Sequence, residues 1–204
     1  MYLKQYSAYK KKLGKNFIGP EEINLICNDF LQFSEEEYIR IPFSLDDINT
    51  NQILILTKST LKNKKLLSIA NFKDAFEKSP HCDKVVFYNQ DWYLNEKFYN
   101  ENVLKLEWKI IPLHTEDQNR GVLPNREILD KLPSAVLLVY VFFTFALING
   151  QFLWPHDYLW CSDVDNEKDQ IYVGRYYDMK GLAKPGFSIH RHLSIKSNYS
   201  FFTV

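Results

Sequence analysis

Side chains able to do chemistry gather at three places in this chain. Asp163, Asp165, Glu167 and Asp169 stand at alternate positions. Alternating oxygen donors in a loop suit a hard divalent cation, so Ca²⁺ or Mg²⁺ is the metal such a run would hold. The EF-hand pattern fails, because its sixth position falls on Lys168 rather than Gly and its twelfth on Gly174 rather than Glu. A solvated acidic turn is the plainer reading, and no resident cofactor is expected. The second place is Glu107-Trp108-Lys109, with Asp91 upstream. This matches the outline of a PD-D/E-x-K nuclease, in which two carboxylates hold Mg²⁺ and the Lys polarises the attacking water. An E-x-K triplet on an exposed strand is common by chance, so catalysis by Asp91, Glu107 and Lys109 stands as an alternative only. The third is His190 and His192, which flank Arg191 on one predicted strand and point the same way. They offer two metal ligands, with Asp163 or His156 available to join them in space. Nucleophilic triads, Gly-rich phosphate loops and CxxC pairs are absent.

These groups need a frame, and Pro155 to Ile195 supplies most of it. Asp157–Ser162 sets Tyr158 and Trp160 against Leu159 and Cys161. Gln170–Tyr177 sets Ile171, Val173, Arg175 and Tyr177 against Tyr172, Gly174 and Tyr176. Phe187–Ile195 sets Phe187, Ile189, Arg191, Leu193 and Ile195 against Ser188, His190, His192 and Ser194. Alternation of period two between turn formers predicts strands, and the polar Val164–Lys168 and the stretch Asp178–Gly186 make the turns. The expectation is an antiparallel sheet over 155–196. Arg175 and Arg191 interrupt apolar faces, so each should meet a carboxylate, with Asp157, Asp163 and Asp178 as candidates. Trp160, Asp163, Asp165, Tyr176, His190 and His192 are the candidate binding residues.

The rest of the chain reads as a soluble globular protein. Its 204 residues are 46% apolar and 25% charged, which predicts one domain with one core. Basic and acidic residues balance at 25 each, which argues against nucleic acid as a partner. Cys27, Cys82 and Cys161 are an odd set without paired spacing, as in a reducing, cytoplasmic setting. Leu132 to Pro155 carries no charge, but the apolar run is too short for a membrane span and predicts a buried helix, Ser134 to Ile148. A buried strand is the alternative there.

Residues 1–19 read as an arm with a short helix. Pro20 opens a helix running to about Gln32, and Ser68 caps another that ends near Pro80. Strands are predicted at Gln52–Thr57, Lys84–Tyr88 and Val103–Leu113, and a helix at Pro124–Leu132. Helices and strands interleave loosely before a strand-only end, which indicates an α+β fold.

Residues 133–195 resemble the end of C-type-lectin-like domains of the formylglycine-generating-enzyme and Fibrobacter major paralogous type. The resemblance rests on a helix, then Tyr158-Leu159-Trp160-Cys161-Ser162-Asp163, then Ile171-Tyr172-Val173-Gly174-Arg175, then Gly186-Phe187 leading to Arg191. It implies a ligand-binding scaffold. The copper-binding cysteine pair of the formylglycine-generating enzymes has no match, so that activity is not implied. The expected function is a non-catalytic binding or protein-interaction module for a protein or small-molecule ligand. The nuclease, and a structural subunit of a larger assembly, are the alternatives.

Overall fold

The computed structural model describes residues 2–204 except 84, 89–90, 156, 177–185 and 193–195, and gives Arg175 and Tyr176 as backbone alone. In chain order its elements are α1 (Leu3–Leu13), β1 (Phe17–Ile18), α2 (Pro20–Ile26), β2 (Gln52–Leu56), α3 (Ile69–Glu77), β3 (Val86–Phe87), α4 (Lys97–Asn100) and β4 (Trp108–Pro112). Then come α5 (Ala135–Asn149), β5 (Tyr158–Val164), β6 (Gln170–Tyr176), β7 (Gly186–His190) and β8 (Tyr199–Ser200). The class is α+β, as expected.

The core is built around α5. It is apolar on every side, and residues 135–147 are all buried, as they must be in a helix enclosed by other elements. Ser134 starts it, its Oγ accepting from the Leu137 amide at 3.3 Å. Gly150 ends it at φ 65°, a left-handed turn that only glycine adopts without a Cβ penalty. By length and composition Leu129–Asn149 is apolar enough to cross a membrane, but 83% of its most apolar window lies inside the fold.

Two sheets pack against this helix. The first has the order β1-β2-β4, with β1 parallel and β4 antiparallel to β2. The Tyr140 hydroxyl ties α5 to it, donating to the Leu56 carbonyl at 2.9 Å. Enclosure pushes the Tyr140 pKa well above its ordinary value. The second sheet has the order β3-β7-β6-β5-β8. Phe143 stacks on Phe87 at 4.4 Å and Phe142 meets Phe187 at 5.0 Å, which joins this sheet to α5.

The centre of the second sheet has the predicted faces and antiparallel pairing. Leu159, Val173 and Ile189 lie in register, as do Trp160, Tyr172 and His190. The first set joins the main core. The second joins a satellite cluster in which Trp160, Tyr172 and Tyr199 are buried with Leu132. Gly174 fits beneath the Tyr158 ring, where a Cβ would lie 2.4 Å from a ring carbon. The edges differ from expectation, since β3 and β8 pair in parallel and the sheet is mixed.

Other predicted bounds shift as well. The third strand ends at His190, and His192 has φ 61°, so the alternation expected as far as Ile195 breaks there. Residues 1–19 are no arm: α1 buries Tyr6, Tyr9 and Leu13, and the Tyr6 hydroxyl donates to the Ile39 carbonyl at 2.6 Å. The helix from Pro20 stops at Ile26, the strand expected from Val103 begins at Trp108, and Pro124–Leu132 contains only a 3-10 turn, Leu129–Lys131.

Candidate functional site

The acidic turn joins β5 to β6, and its carboxylates are engaged by the protein itself. Asp163 turns towards the start of α5, where one oxygen accepts from the Ala135 amide at 2.5 Å and the other from the Asn102 side chain. This satisfies an orphan donor of the first helical turn. Burial is the largest influence on the Asp163 carboxyl and leaves its pKa raised, against the pull of those bonds.

Asp165 is more fully engaged. Its side chain is 0% exposed and its Oδ1 accepts from the amides of Glu167 (2.9 Å) and Asp169 (2.8 Å). Its Oδ2 meets Arg191 at 2.5 Å, and the guanidinium lies 4.5 Å over the Trp92 ring. Burial pushes the Asp165 carboxyl up, but Arg191 and the two amides outweigh it and hold the pKa below the ordinary value. Arg191 therefore does meet a carboxylate. Its partner among the described residues is Asp165 rather than Asp157 or Asp163, and Asp157 instead takes Arg120 in a two-pronged pair. Arg175 as a side chain, Asp178, Tyr176 as a side chain, His156 and the turn 178–185 lie outside the described residues.

The two histidines part company. His190 lies among Tyr158 and Tyr172 with its Nε2 2.9 Å from the Ser188 hydroxyl, and burial lowers its pKa. His192 turns the other way to Asp169. Ligand atoms of Asp165, Asp169 and His192 fall within 4.8 Å of one another. A cation there would compete with the Arg191 guanidinium for Asp165. Glu167 is exposed and lends the turn its amide. Trp160 is 4% exposed and packs against Tyr172 and Tyr199, so it presents no binding surface of its own.

A groove of about 770 Å³ lies elsewhere, along β4. Glu107 and Lys109 line it, paired at 3.2 Å, while Asp91 starts the 3-10 turn Asp91–Tyr93 and is not among its lining residues. One wall is the segment around Ile39, Arg40, Pro42 and Phe43, to which the Trp108 indole donates at the Ile39 carbonyl, 3.1 Å. Phe201 to Val204 also line the groove, held by Asn119 Nδ2 donating to the Phe201 carbonyl (3.2 Å) and by the Val204 amide donating to the Lys131 carbonyl (2.9 Å). Beyond Glu107 and Lys109, sequence reading missed this groove. No periodicity marks it, because it is assembled from segments about 160 residues apart.

No family model matches the chain, and no characterised protein or solved structure is detectably similar to it.

Proposed function

We propose that this chain is a binding module, taking a protein or small-molecule ligand in the groove along β4, and that it is not an enzyme. The observation that carries this is the groove itself. Its volume of about 770 Å³ sits in the range of about 300–1,000 Å³ usual for ligand sites, with apolar walls and a few polar groups. The engagement of Asp163 and Asp165 by the fold supports the same choice, since it leaves the acidic turn little to offer a ligand. The test is amide NMR on the labelled protein titrated with a library of small fragments. Shifts clustered on Ile39–Phe43, Trp108–Pro112 and Phe201–Val204 are expected. Shifts clustered on residues 163–169, or no cluster at all, would contradict the reading.

A further inference from the structure

We infer that the groove takes an extended acidic peptide, which adds to the free edge of β4 as a further strand; this rests on the groove being a binding surface. Backbone parity decides what the edge offers. The Thr57 amide donates to the Glu107 carbonyl at 2.9 Å and the Leu113 amide to the Asn51 carbonyl at 2.9 Å. Both bonds continue the β2–β4 register, so alternate residues from Glu107 to Leu113 turn their backbone groups towards β2. Trp108 and Ile110 turn theirs away; Trp108 is 3% exposed and Ile110 half-buried, so Ile110 offers the more accessible pair. Because β4 is the last strand of its sheet, no strand among the described residues meets them there. Pro112 closes the row, having no N–H, and its carbonyl accepts from the Trp154 indole at 3.3 Å.

The shape of the groove agrees. Glu107, Trp108, Lys109 and Ile110 all line it, although successive side chains of a strand leave opposite faces. The groove therefore follows the strand's edge past these four, and at the Pro112 end it crosses the strand to reach Gln52 of β2. Open donors and acceptors on alternate residues, between apolar walls, are what an incoming strand uses.

Charge selects the peptide. Glu107 and Lys109 pair with each other, and Glu116 keeps its charge but is held by the Gln118 side chain at 2.6 Å. Among the described residues the unpaired cation of the lining is therefore Arg40, which is exposed on the wall. A carboxylate on the peptide supplies that partner through charge-assisted hydrogen bonds.

The experiment uses three short fluorescein-labelled peptides of alternating valine and threonine. One has a central aspartate, one has asparagine there, and one is the aspartate peptide N-methylated at alternate residues. Anisotropy is read against the wild-type protein, Arg40→Gln and Ile110→Pro. Proline is tolerated on an edge strand where the lost N–H faces outward, so Ile110→Pro removes a donor and spares the ladder with β2. The aspartate peptide is expected to bind wild type about tenfold or more tightly than the asparagine peptide, and Arg40→Gln to erase that difference. N-methylation and Ile110→Pro should each abolish binding. If Ile110→Pro fails to fold, the N-methylated peptide on wild type decides the same point.

Equal binding of the aspartate and asparagine peptides overturns the charge selection, and undiminished binding of the N-methylated peptide overturns strand addition. A wild-type dimer in sedimentation that Ile110→Pro dissolves, with no peptide bound, assigns the edge to a second copy and overturns the inference. If no peptide binds while fragments still shift the groove amides, the peptide inference fails and the binding module stands. If the fragments shift nothing there, both fail.

Discussion

The acidic turn between β5 and β6 and the groove along β4 are both rich in charge, yet they use it in opposite ways. In the turn, Asp163 holds the start of α5, and Asp165 holds Arg191 and two amides of its own loop. In the groove, among the described residues, Arg40 has no ionic partner and the backbone of Trp108 and Ile110 has no neighbouring strand. A dense set of polar residues is thus not itself a site. What matters for binding is hydrogen-bonding and charge capacity that the fold has not already used.

The largest effect expected from this contrast is on stability. Asp165→Ala strands a guanidinium and two amides that shared one buried carboxylate. Hydrogen bonds to a charged group contribute about 1.5–3 kcal/mol each. At roughly 2–4 °C per kcal/mol for a chain of this size, the two amide bonds alone put the loss on the order of ten degrees. Arg40→Gln, in the groove, should leave the melting temperature nearly unchanged. Similar melting of the two variants would erase the distinction between the regions.

An intermediate effect is expected in acid. The folded-state pKa of Asp165 lies below its ordinary value. Its contribution is therefore complete above the unfolded-state pKa of about 3.9 and is lost as pH falls through the lower folded value. Asp165→Asn should flatten that part of the stability profile, while Glu107→Gln should leave it in place. A profile unchanged by Asp165→Asn would mean that the pair does not hold the turn.

The smallest expected effect is that of calcium. A ligand bound only by the folded state raises the melting temperature by mass action. Because Asp165 is already neutralised by Arg191, millimolar calcium should leave the melting curve where it is. A rise in the melting temperature that Asp169→Asn abolishes would return the acidic turn to the list of binding sites.

The contrast also explains what the sequence made legible. The faces of β5, β6 and β7 follow from alternation, and α5 from an apolar run bounded by Ser134 and Gly150. Each is a local pattern. The two-residue strands β3 and β8 are too short to show any period, and their parallel pairing comes from tertiary packing. In α1, Tyr6, Tyr9 and Leu13 at spacings of three and four mark a buried stripe, which reading residues 1–19 as an arm passes over. The partner of Arg191 lay 26 residues back, in the turn rather than at a strand end, and alternation does not predict contacts across a loop. The groove was the least legible of all. Its floor is an ordinary strand, and what makes it a site is that β4 lies at the edge of its sheet.

Amide hydrogen exchange in the free protein tests that central claim most directly, with no ligand to identify. Lys109 and Ile111, whose backbones face β2, should be protected, as should Glu167 and Asp169, whose amides bond the buried Asp165 carboxylate. Trp108 and Ile110 should exchange much faster than the residues on either side of them. Protection of Trp108 and Ile110 equal to that of Lys109 and Ile111, with Glu167 and Asp169 exchanging freely, would contradict the account.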